Sequence, residues 1–446
     1  MKEINNKMEV SNLSKQYQKK TDKEHILDNP DTYIGSVENV DSNIWLFNEN
    51  RIITKNINYI PGLYKLFDEG IVNCRDHVIR MLQQKTSGNA YQVDKIEINV
   101  DEDGTIHMLN NGNGIDIEKH PEYDIWIPEM IFGHLRTSTN YNKDEKKIVG
   151  GKNGFGFKLV LIWSVSGAIE TVDHVRKLKY VQNFSNNLDN IGTPVITKCS
   201  SKPYTKVSFK PDYIRFGLNM LNDDMRQLFK KRVYDISAIT PKNVKVKFNN
   251  ELVPVKTFEQ YIDLYIGTKN DSVRVHENPN DRWEYCVALS PSHEFQQVSF
   301  VNGIHTLKGG KHVDYVLNQI TKKMITFIEK KKKVTVNANS VKEQLFLFLR
   351  CDIENPAFDS QTKDYMNTSI SNFGSSCVVS DKFIEKLAKQ GIMDAACEIT
   401  NLKDNKAAKK SDGKKSKNVR GIPKLIDANW AGTTNSNFCT IIFCEG

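Results

Sequence analysis

Glu69 and Asn73 lie four residues apart in this chain, and Asp76 follows three residues later. On an α-helix such residues share one face, one turn above the next. A carboxylate one turn from an amide oxygen can serve a reaction: the first takes a proton from water while the second holds a hard cation. A solvated helix face is the plainer reading of the same residues. A second group is Gly150-Gly151-Lys152-Asn153-Gly154-Phe155-Gly156-Phe157-Lys158, with four glycines in seven residues. Successive unhindered N–H groups ahead of a helix make a concave anion site, to which Lys152 and Lys158 add full charge. A loop that only permits a tight turn explains the glycines as well. It is not a Walker loop, because no Gly-Lys-Ser or Gly-Lys-Thr occurs in the chain. A third group, Asn110-Asn111-Gly112-Asn113-Gly114-Ile115, is either a simple turn or an amide-lined pocket floor whose glycines let a flat ring approach. Thr137-Ser138-Thr139-Asn140-Tyr141 offers small donors that could cap a helix or meet phosphate oxygens.

These groups need elements to hold them. Leu63, Leu66, Phe67, Ile71, Val72, Val78, Ile79 and Leu82 have helical spacing, so Pro61 to Gln84 reads as one long amphipathic helix carrying Glu69 and Asn73. Polar groups beside its apolar stripe require partners. Gly70 costs that helix about 1 kcal/mol against Ala, which close packing would explain. Lys95–Val100 and Thr105–Leu109 read as a hairpin ending at Asn110, and the apolar run after Lys158 as a buried helix. Further on, strands are expected at 180–184, 207–209, 244–248, 295–301 and 341–349, with helices at 224–239 and 312–327. Lys330-Lys331-Lys332-Lys333 falls between the last helix and the last strand, as a loop that is either solvated or turned toward a polyanion.

The length of 446 residues accommodates two to three domains, and 39% hydrophobic with 26% charged residues describes a water-soluble fold. Sixty-two basic against 54 acidic side chains give a net charge of +8, which permits contact with nucleic acid. The eight cysteines show no C-x-x-C spacing, so neither structural zinc nor a disulfide framework is expected. The polar first twenty residues are no signal peptide, and the longest apolar stretch, Leu159–Ile169, is too short to span a membrane.

Pro61-Gly-Leu-Tyr-Lys-Leu-Phe-Asp-Glu69, Asn110-Asn-Gly-Asn-Gly-Ile115, Thr137–Tyr141 and Gly150–Lys158 resemble, in order and spacing, the ATPase region of eukaryotic-type DNA topoisomerase II. The likeness continues through Val298–Gly303, Lys308–Tyr315, Glu354–Lys363 and Gly421–Leu425, and covers nearly the whole chain from about Tyr17. It implies an α/β (α+β) architecture: a Bergerat (GHKL) ATPase with helices on a mixed sheet, then a transducer with a ribosomal S5-like βαβ fold. The boundaries expected are an arm over 1–24, the ATPase domain over 25–262, the transducer over 263–402, a basic linker over 403–437, and the start of a TOPRIM domain over 438–446. By the same resemblance Glu69 is the general base and Asn73 the magnesium ligand. Asn110 reads adenine with Asn111 beside it, and Asp76, Gly114 and Ile115 join the ATP site. Ser138, Thr139 and Asn140 contact ribose and phosphate, Gly151 to Lys158 close over the phosphates, and Gln361 with Lys363 reach the γ-phosphate. Tyr17 is counted with the ATP site, on an arm that would cross to a partner in an ATP-induced homodimer; Lys330 to Lys333 would face duplex DNA, and Glu445 would bind metal only within a complete TOPRIM domain.

The implied function is the ATP-driven gate of a type II topoisomerase, with ATP and Mg2+ as cofactors and an intracellular location: the nucleus, or a virion or viral factory for a viral protein. A nucleotide-locked DNA clamp with negligible turnover is the rival. Three departures from the family pattern keep it open: Cys74-Arg75-Asp76-His77 replaces Ala-Ala-Asp-Asn, Gly70 replaces a bulky aliphatic residue, and Phe157 replaces a small one.

Overall fold

The computed structural model describes residues 16–84, 91–137, 146–151, 154–401, 428 and 430–442. The chain begins with α1 (Asp22–Asp28), started by a capping box in which Thr21 and Glu24 satisfy each other's backbone N–H groups. A short α2 (Pro30–Tyr33) leads into the hairpin β1 (Val40–Asn48) and β2 (Arg51–Tyr59). The long helix α3 runs over Pro61–Gln84, as its apolar spacing requires, with Pro61 at its first position.

A mixed sheet follows. Its strands are β3 (Lys95–Val100), β4 (Ile106–Asn111), β5 (Ser164–Asp173), β6 (Leu178–Ser185), β7 (Asn190–Ile191), β8 (Val195–Lys198), β9 (Tyr204–Pro211), β10 (Lys245–Phe248) and β11 (Glu251–Leu252). The order is β11-β10-β3-β4-β9-β5-β6, with β7 and β8 both pairing β6. Among the described residues, β10 pairs with β3 in parallel and the other neighbours in this sheet are antiparallel. Between its strands come α4 (Ile127–Gly133), α5 (Gly156–Ile162) and α6 (Asp223–Ala238), and α3 packs against both α5 and α6. Phe67 of α3 and Phe229 of α6 stack with centroids 4.2 Å apart. The apolar run from Leu159 to Ile169 is divided rather than continuous. Its first half completes α5 and its second half opens β5, because Trp163 leaves helical geometry and bonds back to Leu159.

α7 (Phe258–Ile266) precedes a second sheet of β12 (Arg274–Asn280), β13 (Trp283–Leu289), β14 (Gln296–Val301), β15 (Ile304–His305) and β16 (Leu345–Cys351), in the order β12-β13-β16-β14-β15. The remaining helices are α8 (Lys311–Lys332), α9 (Ala338–Lys342) and α10 (Asp381–Leu387). Compactness divides the chain into one unit of residues 1–287, 297–316 and 347–378 and another of 288–296, 317–346 and 379–446.

Two expectations in the second unit are corrected. Lys330, Lys331 and Lys332 form the last turn of α8 and only Lys333 leaves it, at φ 56°. Cations there are favoured by the negative end of the helix dipole, so the run extends the helix instead of breaking it. Val341 belongs to α9, where Asn337 caps the helix, and the strand begins only at Leu345. Residues 439–442, where a TOPRIM domain is expected to start, are not in a strand, and 443–446 lie outside the described residues.

Candidate active site

One face of α3 lines a cavity of about 500 Å³ for most of its length: Glu69, Asn73, His77, Arg80 and Gln84 succeed one another along it. At 1.5 Å per residue that wall is about 22 Å long. The helical spacing read from the sequence therefore places Glu69 and Asn73 on a cavity wall, not in solvent.

At Glu69 the charges are organised. Its Oε1 lies 2.9 Å from the Lys65 ammonium, one turn back on α3, and 3.0 Å from that of Lys363. All three side chains are at most 7% exposed. Burial by itself raises the Glu69 carboxyl pKa, but Lys363 and Lys65 outweigh it and hold the group below the ordinary glutamate value. The second oxygen points elsewhere: a Cβ added at Gly156 would lie 2.8 Å from Oε2, so the end of the glycine loop approaches this oxygen closely, and a side chain there would displace it. Lys363 adopts a left-handed backbone, φ 64°, a conformation that non-glycine residues hold only when their surroundings enforce it. Asp68 completes the group, accepting from Lys65 at 3.2 Å and from Arg232 of α6 at 2.6 Å.

The glycine loop is held from beneath by Asp76. Its carboxylate accepts the Gly150 N–H at 2.9 and 3.0 Å and the Gly151 N–H at 2.9 Å. Asp76 therefore does not line the cavity; it fixes the loop that does. Gly154, at φ 70°, and Gly156 continue into α5, and Gly151 also faces the cavity. Lys158 lines it too, but its ammonium donates to the Thr137 and Gly154 carbonyls at 2.5 and 2.9 Å, clasping two loops, and burial lowers its pKa to about 8. Phe155 meets the ring of Tyr33 instead of the cavity. Phe157 is buried edge-on against Phe132 and Phe209. Gly70 is explained by Met108: a Cβ there would come 2.5 Å from its Sδ, while Phe157 Cε2, at 3.5 Å, would be in ordinary contact.

Alternation along β4 separates the two asparagines. Asn110 shares the buried face with Met108 and lines the cavity floor, whereas Asn111 faces the other way and bonds the Asp94 and Lys95 amides at 3.0 Å. The expected place of Asn111 in the site is therefore corrected to that of a clamp on the start of β3. Gly114 and Ile115 line the cavity, and Gly114 admits no side chain because a Cβ would stand 1.9 Å from the Val172 carbonyl oxygen. His77, which also lines the cavity, carries a buried Nε2 without a hydrogen-bond partner among the described residues, and burial lowers its pKa to about 3.

Gln361 and Lys363 reach the same cavity as the α3 residues. Three contributors escaped the reading of the sequence. Thr205 sits opposite Asn110 in the β4–β9 register and lines the floor. Its signal was period-2 alternation with Val207 and Phe209. Lys65, four residues before Glu69, had only the i,i+4 spacing of an ordinary helix pair. Arg80, three further on from His77, was hidden among the helix's polar residues. Tyr17 is 73% exposed and away from the cavity. Ser138, Thr139, Asn140, Lys152, Asn153 and Glu445 lie outside the described residues. Lys330 to Lys333 are exposed and belong to the other unit.

Comparison with known proteins follows the same outline. Residues 248–418 match the family model for DNA gyrase B. The chain is 45% identical over 443 residues to DNA topoisomerase 2 of Arabidopsis thaliana and 42% identical over 446 residues to that of Acanthamoeba polyphaga mimivirus. Each alignment covers 97% of this chain, which spans 29% and 34% of the two relatives. Among solved structures, the ATPase region of Saccharomyces cerevisiae topoisomerase II superposes with a TM-score of 0.81 at 40% identity, covering 87% of this chain and all of that one.

Proposed function

The chain belongs to the type II DNA topoisomerase family, as its ATPase region, and from that premise we propose that the cavity on α3 binds ATP and hydrolyses it with Glu69 as the base. The observation that carries this reading is the Glu69 carboxylate itself, with one oxygen fixed by two lysines and the other turned to the glycine loop. Phosphoryl transfer through a loose transition state asks for positioning and charge neutralisation more than for a strong base. A carboxylate of depressed pKa meets that need, being ionised at neutral pH and oriented toward the attacking water. Lys363 and the loop amides face the terminal phosphate, while Asn110 and Thr205 read the purine edge from the floor.

The residues fit Mg2+. No three His, Cys, Asp or Glu side chains converge on a metal among the described residues, and the Asn73 amide is a hard oxygen donor on the cavity wall. Mg2+ is typically held by one or two protein oxygens with phosphate and water completing its shell. Asn73 would hold it there, where it would neutralise phosphate charge.

Beyond the hydrolytic site, this region would act as the entry gate of the full-length enzyme. ATP would join two copies, with the Tyr17 arms crossing, around a duplex DNA segment for double-strand passage, and hydrolysis would reset the gate. The family membership supports this, as does the exposed lysine run ending α8. The division into an ATPase domain over 25–262 and a transducer over 263–402 is supported by the first sheet ending at Leu252 and the gyrase B match starting at 248. The proposed location is intracellular, in the nucleus or, for a viral protein, in the virion or viral factory. The departures at Cys74 to His77 and at Phe157 are what keep the nucleotide-locked clamp as the second reading.

Steady-state hydrolysis by the chain and by Glu69→Ala, each with and without duplex DNA, decides between them. Magnesium-dependent turnover lost in the variant supports the hydrolase; tight binding of nucleotide with no turnover in either protein supports the clamp.

A further inference from the structure

Arg75 and Asp76 are adjacent on α3, one turn beyond Asn73, and both reach away from the cavity. Asp76 holds the Gly150 and Gly151 amides. Arg75, 3% exposed, directs Nη2 to Asp352 Oδ1 at 2.9 Å, at the end of β16. The chain that leaves β16 there delivers Gln361 and Lys363 to the cavity. The Arg75 stem lies against the turn at Gly303, where a Cβ would stand 2.4 Å from its Cδ at a backbone φ of 84°. The carbonyl of that turn accepts from Arg232 at 2.7 Å.

The two loops so held are also tied to each other. Asn302 donates to the Val149 carbonyl at 3.2 Å and to the Ile353 carbonyl at 2.8 Å, and its Oδ1 accepts the Ile353 N–H at 2.7 Å. Asn355 N–H donates to the Lys147 carbonyl at 2.9 Å. Residues 147–151 and 352–355 therefore run side by side, with Asp76 anchoring one and Arg75 the other to the helix that carries Glu69.

We infer that Arg75 is a positioning residue for Lys363: through Asp352 it sets the origin of the lysine-bearing loop relative to α3, so that the ammonium arrives at Glu69 and at the phosphate beside it. The kinetic consequence rests on the assignment of Lys363 to the terminal phosphate; the structural one does not.

The test is amide hydrogen exchange, resolved by segment, on the full chain and on Arg75→Met, Asp352→Asn and the double variant. Exchange over 353–363 should rise about tenfold in each single variant and no further in the double, with Gly150 and Gly151 changed by about twofold at most. Unchanged exchange over 353–363, or an equal rise across β3 and β4, overturns the proposal. In hydrolysis, Arg75→Met should lower kcat about tenfold with affinity for a non-hydrolysable ATP analogue nearly intact, and should add nothing in a Lys363→Ala background. An additive loss in that background also overturns it. Should the wild-type chain fail to turn over, the hydrolase reading falls and the exchange result still decides the role of Arg75.

Discussion

Two ionic clusters lie buried where α3 meets α6, and they differ in one respect. In the first, Lys65, Glu69 and Lys363 surround a carboxylate whose second oxygen faces a glycine and a cavity. In the second, Asp235 is closed on every side: Lys231 at 3.0 Å, Arg232 at 3.8 Å, and the Tyr261 hydroxyl donating at 2.6 Å. Asp68 joins them, with Lys65 on one oxygen and Arg232 on the other. The closed cluster lies outside that cavity and orders the packing of α3, α6 and α7. The open one lines a cavity that a substrate can enter. Burial of charge is common to both, so it does not mark a site; a buried carboxylate that also lines a cavity does.

The contrast predicts opposite failures. Glu69→Gln should reduce kcat by about 10³-fold, with a smaller loss in urea-unfolding free energy than the closed cluster shows. Asp235→Ala strands two buried cations, whose cost is visible already in the Lys231 ammonium, held below its ordinary pKa by burial despite its partner. It should lose about 3–5 kcal/mol in urea unfolding while its folded fraction keeps normal turnover. Equal behaviour of the two variants would erase the distinction.

Lys363→Ala should lower kcat about 10²-fold, as expected for one donor to developing phosphate charge. Single-turnover hydrolysis would read it directly.

Acid sharpens the comparison at the shared residue. Asp68 titrates at about 2 in the folded chain against 3.8 in its absence, because Arg232 and Lys65 overcome the opposing effect of burial. Its folded pKa is depressed, so its contribution of about 2 kcal/mol is present above pH 4 and is lost as pH falls toward 2. Urea titrations between pH 6 and pH 3 should show a shallower acid slope in Asp68→Asn.

The smallest effect belongs to the exposed charges in the other unit. Neutralising Lys330 to Lys333 should leave basal hydrolysis unchanged and flatten the salt dependence of DNA binding by roughly 0.9 log units per decade for each phosphate contact removed.

What the sequence determined was local. The apolar spacing of Leu63 to Leu82 set α3 to its ends, and spacing alone put Glu69 and Asn73 on one face. The β3–β4 hairpin and the glycine loop before α5 followed from alternation and from residues that favour positive φ. Where a side chain pointed was less accessible: Asn110 and Asn111 differ by one step of a strand, and the pleat sends them to opposite faces. The lysine run after Phe327 looked like a loop because charge was its evident property, whereas the dipole at the end of α8 accepts it as helix. Tertiary structure alone decided the pairings. Lys363 stands 294 positions from Glu69, and Arg75 stands 277 from Asp352. Periodicity reports on neighbours within a few turns; ion pairs between segments this distant exist only because the packed sheets and helices bring buried charges to the partners that burial makes necessary.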